Sequence, residues 1–151
     1  MRADDPGRDW ANPAVNLRAI GLVFAGGAVG TCARYGITLL VPGMTFPAAI
    51  LAVNLVGAFT LGWLGEALVL RVRTVSARSS LRLLLGTGVL GGFTTYSAFA
   101  GDTARFLRDG NLRLGFAYAL ISIVVGAIAG MAGIRAGGRL RRPDSTLEQG
   151  S

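Results

Sequence analysis

The sequence predicts an all-α integral membrane protein with four transmembrane helices in each subunit. Two observations predict this class. The composition is apolar, with 52% hydrophobic and only 15% charged residues among 151, whereas an ordinary soluble domain carries about 25% charged residues. The apolar residues are also gathered into four long runs rather than spread along the chain. The length suits one domain.

Each run approaches or exceeds the roughly 20 helical residues that cross the hydrocarbon core of a bilayer. The predicted spans cover residues 17–41, 47–70, 81–100 and 112–134. They form one four-span unit over residues 17–137, and the flanking segments 1–16 and 138–151 are predicted to be polar tails. The leading segment holds three aspartates, which is atypical of a secretory signal peptide.

Short motifs predict how the spans connect and pack. The proline-rich stretch VPGMTFP at residues 41–47 predicts a tight turn between the first two spans. The spacings Gly26-x-x-x-Gly30 and Gly126-x-x-x-Gly130 predict close helix contacts, because small residues let two helix backbones approach each other.

The composition excludes most enzyme classes. All 15 basic residues are arginine, so there is no lysine for a Walker A loop or a Schiff base, and the absence of histidine removes Ser-His-Asp and Cys-His catalysis. Cys32 is the only cysteine, which excludes an internal disulfide and a cysteine metal cluster. We therefore expect that the protein is not an enzyme. We also expect no nucleic acid partner, because the arginines flank the apolar runs instead of forming a basic face.

The arginines are divided unevenly between the two ends of the predicted spans. Four spans place both chain termini on one side, where eleven arginines lie against three on the other side. The eleven are Arg2, Arg8, Arg18, Arg71, Arg73, Arg78, Arg82, Arg135, Arg139, Arg141 and Arg142, and the three are Arg105, Arg108 and Arg113. Positive residues favour the cytoplasmic side, so the termini are predicted to be cytoplasmic.

The third run contains an interruption, GGFTTYSAF at residues 91–99. A glycine pair followed by two β-branched threonines weakens a helix and predicts a break near its middle. Unwound backbone at membrane depth is tolerated where it is buried in protein or lines a cavity, and its carbonyls can coordinate a cation. The alternative is a glycine kink whose carbonyls are satisfied by the hydroxyl of Thr94 or Thr95.

The few polar and aromatic side chains within the spans favour an anion path. Tyr96 and Phe99 share one helical face after the break, and aromatic ring edges carry partial positive charge. The neutral hydrogen-bond donors are Asn54, Ser97, Tyr118 and Ser122. Arg34 is the one full charge deep in a predicted span, unless its side chain reaches a nearby interface. The alternative is that the donors form hydrogen bonds between helices and that the rings pack in the core or face lipid.

Through the motifs described above, the chain resembles the Fluc (CrcB) fluoride ion channels. The resemblance extends from about Gly26 to Gly130 through GGAVGTCARY, NLVGAF and GGFTTYSAF, and the last is similar to the family's GGxTTFSTF. It implies passive export of cytoplasmic fluoride across the bacterial inner membrane, with protection against fluoride toxicity. It also implies a dimer of two subunits inverted in the lipid bilayer, with two fluoride pores.

The resemblance further implies roles for single residues. The backbone carbonyls of Gly91 and Thr94 match those that hold a structural sodium ion at the dimer centre. Arg34 matches a charge in the vestibule. The residues matching the fluoride path are Asn54, Tyr96, Phe99, Ser97, Tyr118 and Ser122.

Two departures from the family's pattern leave an alternative open. Tyr96 stands where the family has its first pore phenylalanine, and Ala98 stands where the polar track has a threonine. The tyrosine keeps the ring edge and adds a hydroxyl, whereas the alanine removes a donor. A subunit that inserts both ways should have balanced arginines. The alternative is therefore a half-active or non-conducting subunit of a heterodimer with an oppositely oriented homologue.

A small multidrug-type transporter is the remaining alternative. That class also has four spans and is often an inverted dimer. It requires an embedded carboxylate in its first span to exchange protons for cationic drugs, and the first span here contains Arg34 and no acid.

Overall fold

The computed structural model describes residues 13–40 and 47–140, with side chains from Leu17 onward. All regular secondary structure in these ranges is helical, which confirms the predicted class. The elements are α1 (Pro13–Leu40), α2 (Ala48–Arg71), α3 (Val75–Leu81), a π-helical segment (Arg82–Leu90), α4 (Gly91–Phe93), α5 (Tyr96–Arg108) and α6 (Leu112–Gly138). Most of the predicted turn at 41–47 lies outside the described residues.

Four helical stretches of the described chain are long and apolar enough to cross a membrane: Leu17–Leu40, Ala48–Arg71, Val75–Arg108 and Leu112–Gly138. The third, at 34 residues, is much longer than the predicted 81–100. Helix α3 adds the polar turn VSARSS before it and α5 adds GDTAR after it, and hydropathy alone does not detect either. Asp102, which lies outside the predicted span, is consequently inside the third helical stretch.

The third stretch is broken in its middle, as predicted. Thr94 (φ −77°, ψ 156°) and Thr95 (φ −145°, ψ 117°) have extended backbone between α4 and α5. The segment before the break is a π-helix, which is wider than an α-helix and is frequent at functional sites. We call residues 75–93 the first half of the third stretch, and α5 its second half.

Helix α1 packs on the first half of the third stretch through glycine contacts. A Cβ atom at Gly26 would overlap the carbonyl oxygen of Leu84, and one at Gly30 would overlap that of Val89. Gly92 lies equally close to the backbone of Gly27. The predicted Gly26 and Gly30 contact is therefore confirmed, and it brings α1 directly against the segment that breaks.

Helix α2 packs on α6 with a similar backbone approach, but not through both of the predicted glycines. A Cβ atom at Gly133 would overlap the carbonyl oxygen of Phe59, and one at Gly62 would overlap that of Gly130. A Cβ atom at Gly126 would meet nothing within 4 Å. Within the described chain the prediction is thus correct for Gly130 and wrong for Gly126, whose position on α6 no neighbouring helix approaches within 4 Å of a Cβ atom.

Candidate functional site

The break is held on one side by α2. The side chain of Asn54 makes two hydrogen bonds with the backbone of Thr95: its Nδ2 donates to the Thr95 carbonyl oxygen at 3.1 Å, and its Oδ1 accepts from the Thr95 N–H at 2.8 Å. Both polar backbone groups of Thr95 are therefore paired although Thr95 lies in neither helix. A primary amide presents one donor and one acceptor side by side, so it matches an extended peptide unit.

Two carbonyl groups at the break lose their helical donors. In a continuous helix the N–H of Thr95 would bond to the carbonyl of Gly91, but it donates to Asn54. Likewise the N–H of Ala98 would bond to the carbonyl of Thr94, but it donates to Thr95 Oγ1 at 3.2 Å. Both residues predicted as sodium ligands therefore present carbonyl oxygens that the helix does not use.

The threonine hydroxyls do not satisfy those two carbonyls. Thr94 Oγ1 donates to the carbonyl oxygen of Leu90, one turn back, at 2.9 Å. Thr95 Oγ1 is the N-cap of α5 and also lies 3.1 Å from Ser97 Oγ. The alternative of a simple kink, with its carbonyls capped by Thr94 or Thr95, is wrong for Gly91 and Thr94.

On its other side the break is held by α1. Arg34 Nε and Thr31 Oγ1 each donate to the carbonyl oxygen of Gly92 at 3.4 Å. A cation at this carbonyl complements the negative end of the helix that finishes at Phe93. The charge of Arg34, predicted to line a vestibule, is therefore also a tether between α1 and the break.

A row of aromatic rings continues from the break into the interior. The ring centroids of Tyr96 and Phe99 are 6.0 Å apart, those of Phe99 and Tyr118 are 5.5 Å apart, and those of Tyr118 and Phe106 are 6.0 Å apart. All three pairs are tilted or edge-on rather than stacked face to face. Tyr96 is 80% exposed and Tyr118 is 1% exposed, so the row runs from the surface of the chain to its centre.

Polar groups accompany these rings. The hydroxyl oxygens of Tyr118 and Ser122 are both buried, one helical turn apart on α6. Ser97 is exposed at the start of α5, beside Thr95. Asp102 follows Phe99 by three residues on α5, so its carboxylate shares the face of that ring.

A cleft of about 550 Å³ lies along the break. Its lining brings together six of the predicted site residues: Asn54, Gly91, Thr94, Tyr96, Phe99 and Ser122. Tyr118 packs against Phe99, and neither Ser97 nor Arg34 is in the wall of the cleft. Arg34 contacts the break from the side of α1. One side of the cleft is formed by α2 and α6 and another by the broken stretch, so it joins groups that are distant in the sequence.

Sequence reasoning missed two participants. The sequence predicts Thr95 only as a cap for a kink, although Thr95 joins Asn54 to α5. A threonine directly before the first residue of a helix is the N-cap signal that identifies it. Thr31 was not considered at all. Its position three residues before Arg34, on one face of α1, is the only signal that the sequence offers.

Comparison with known proteins gives consistent matches. The model of one protein family, described as "CrcB-like protein, Camphor Resistance (CrcB)", matches residues 21–134. The "Fluoride-specific ion channel FluC 2" of Leifsonia xyli is 47% identical over 121 residues, covering 80% of this chain and 83% of that protein. The "Fluoride-specific ion channel FluC" of Agrobacterium fabrum is 43% identical over 124 residues, covering 80% and 97%. The "Fluoride-specific ion channel FluC" of Sorangium cellulosum is 42% identical over 118 residues, covering 76% of this chain and 91% of that protein.

Proposed function

The chain belongs to the CrcB-like family, and on that premise we propose that it is a fluoride-selective ion channel rather than an enzyme. It lets cytoplasmic fluoride leave the cell passively and so protects against fluoride toxicity. The observation that carries this proposal is the cleft at the helix break, which places Asn54, the Tyr96 and Phe99 rings and Ser122 around one space. The names of the relatives add the identity of the ion.

The polar groups of the cleft suit an anion that has lost part of its water. The amide nitrogen of Asn54 carries two N–H groups, and one bonds to the carbonyl of Thr95. The second N–H group of Asn54 can donate a hydrogen bond to an anion in the cleft. The hydroxyls of Ser97, Ser122 and Tyr118 are further donors along α5 and α6, and each replaces a hydrogen bond that water made in solution.

The aromatic row offers a second kind of stabilisation. Ring edges carry partial positive charge, and neither the Tyr96–Phe99 pair nor the Phe99–Tyr118 pair is stacked face to face. A small anion passing along these edges is attracted without being bound by a full charge. Weak and repeated attraction of this kind allows both entry and exit, which conduction requires.

The carbonyls of Gly91 and Thr94 fit a structural sodium ion, because the N–H groups of Thr95 and Ala98 that would occupy them donate elsewhere. Oxygen ligands suit a hard cation, and unwound backbone carbonyls coordinate sodium in transporters with broken helices. When bound, sodium supplies positive charge near the path and links the broken segments. Two carbonyls from each chain would share the ion between two subunits.

The working unit in this proposal is an inverted dimer in the bacterial inner membrane. Tyr96 is 80% exposed in the single chain, so one wall of the path must come from elsewhere. An inverted second copy supplies the same residues on the open side of the cleft. The arginine bias predicts that this chain inserts with its termini in the cytoplasm.

A second candidate is a subunit of a heterodimer whose sibling inserts in the opposite direction. Two observations favour it: the eleven-to-three arginine bias, and the loss of a hydroxyl donor at Ala98 beside the added hydroxyl of Tyr96. In such a pair, one of the two pores can weaken while the other conducts.

The test is fluoride efflux from liposomes containing this chain alone, followed with a fluoride electrode, beside a Phe99→Ile variant. Isoleucine keeps an apolar side chain of similar bulk and removes the ring edge. Rapid efflux that Phe99→Ile abolishes, with no chloride release, supports a self-sufficient channel. A folded protein without efflux alone, but with efflux when an oppositely biased homologue is added, favours the heterodimer. No fluoride transport under either condition contradicts the proposal.

A further inference from the structure

A second cleft, of about 320 Å³, lies between α2 and the start of the third stretch. One face of each helix lines it. The lining residues of α2 are Leu61, Leu64, Gly65, Leu68 and Val69, and those of the third stretch are Arg78, Arg82 and Gly86. The cleft exists because Gly65 and Gly86 contribute no side chain to its walls. We call it the arginine cleft.

The arginine cleft combines an apolar wall with two positive charges at one end. Arg78 is fixed there, because its Nη2 donates to the carbonyl oxygen of Val72 at 2.8 Å and its Nε to the same oxygen at 3.3 Å. Arg82, one turn further along the same face, is exposed. The acid of this part of α2, Glu66, packs against Gly137 of α6 and is not part of the lining.

We propose that the arginine cleft binds one anionic phospholipid. Its phosphate group lies at Arg82 and Arg78, and one acyl chain follows the apolar wall past Gly65 towards Gly86. Arg78 and Arg82 lie in the first turns of a stretch that is long and apolar enough to cross a membrane. The ends of such a stretch lie at the level of the lipid headgroups. Basic pockets between membrane helices at the arginine-rich face recognise anionic headgroups. The proposal does not depend on the ion that the chain conducts.

Other occupants fit less well. A free phosphate ion would pair with the two guanidinium groups but would leave the leucine-lined part of the cleft unfilled. A second copy of the chain would have to bring an acid to Arg82, because a charge buried against protein without a partner is costly. An anionic lipid satisfies both parts at once.

Gly65 makes a discriminating variant possible. A Cβ atom there would meet nothing within 4 Å, so we expect the leucine side chain of Gly65→Leu to enter the cleft and fill it. Gly36 of α1 is equally open and lies outside the cleft, so Gly36→Leu is the matched control. Arg82→Gln removes the headgroup charge, and Arg113→Gln removes a charge at the other end of the bundle. Arg78 is left unchanged, because it also ties down the end of α2.

The experiment is native mass spectrometry of the full-length chain in detergent, titrated with phosphatidylglycerol or with phosphatidylcholine of the same acyl chains. We expect selective binding of phosphatidylglycerol, weakened about fivefold by Arg82→Gln and abolished by Gly65→Leu. Gly36→Leu and Arg113→Gln should bind as the unmodified chain does. Thermal unfolding of each variant in the same detergent confirms that it is folded.

Three outcomes overturn the proposal. The first is equal binding of the two lipids. The second is phosphatidylglycerol binding that survives Gly65→Leu, or that an equal concentration of inorganic phosphate displaces as well as phosphatidylglycerol itself does, since either would show that the apolar wall contributes nothing. The third is a Gly65→Leu variant that changes the ratio of monomer to dimer while lipid binding persists, which would identify the arginine cleft as an interface between copies.

Discussion

The side-chain amide of Asn54 pairs with the backbone of Thr95 through two hydrogen bonds, of 3.1 and 2.8 Å, across 41 positions of sequence. It takes the place of the helical hydrogen bonds that end at the break. The carbonyl of Gly91 is released by the same pairing, because its helical donor is the N–H group that Asn54 engages. One side chain therefore both stabilises the break and exposes an oxygen there.

Replacement of Asn54 tests this pairing. Asn54→Ala removes both hydrogen bonds, and we expect a loss of about 1–2 kcal/mol in the free energy of unfolding, at about 0.6 kcal/mol or more per bond in a membrane. Fluoride efflux should fall at least tenfold, because a path donor is lost as well. Asn54→Asp keeps the acceptor for the Thr95 N–H group but adds negative charge. It should therefore slow fluoride efflux strongly while lowering the free energy of unfolding less than Asn54→Ala does. Detergent unfolding curves and liposome efflux measure the two quantities separately. Equal loss of both in the two variants would contradict a path role for Asn54.

Thr95 caps α5 and sets the position of Ser97. Thr95→Val keeps the shape of the side chain and removes the oxygen that accepts from Ala98 and neighbours Ser97. We expect a stability loss of about 1 kcal/mol, typical of a lost N-cap, together with slower fluoride efflux. Thr95→Ser restores the oxygen and should restore both quantities. Slow efflux in Thr95→Ser would show that the methyl group, not the hydroxyl, matters at this position.

Two neighbouring glycines of α1 form a matched pair. A Cβ atom at Gly30 would overlap the backbone oxygen of Val89, whereas one at Gly27 would meet nothing within 4 Å. Gly30→Ala should therefore destabilise the fold by about 1–3 kcal/mol and disturb the tether at Gly92. Gly27→Ala should be neutral or slightly stabilising, because alanine favours helix. Thermal unfolding in detergent measures both variants, and equal melting temperatures would contradict the backbone contact between α1 and the third stretch.

The two departures from the family's pattern can be reversed. Tyr96→Phe removes the added hydroxyl, and Ala98→Thr restores the missing donor. If these positions weaken the path, the double variant should conduct fluoride several times faster than the unmodified chain, because each hydrogen bond to a partly dehydrated anion contributes about 1 kcal/mol or more. Initial efflux rates at equal protein density measure the effect, with Phe99→Ile in the same background as the inactive control. An unchanged rate would mean that neither position limits conduction.

Local properties of the sequence were sufficient for the class of fold and for the location of the break. The apolar composition of a helix-length run requires a membrane span, and a glycine pair followed by two threonines weakens a helix wherever it occurs. The predicted span 81–100 was shorter than the third stretch because the prediction used local hydropathy alone. The turns VSARSS and GDTAR are polar, and hydropathy cannot distinguish a polar helical turn from a loop.

The sequence by itself determined four spans, a weak point in the third and a set of donors and rings suited to an anion. Only the tertiary structure decided how they are used. It pairs Asn54 with Thr95, directs Arg34 to Gly92, and selects Gly133 over Gly126 for the contact with α2. Hydropathy and helix propensity depend on near neighbours in the chain. A hydrogen bond or a backbone contact between helices depends on which face each helix turns inward, and that is fixed only when all the spans pack together.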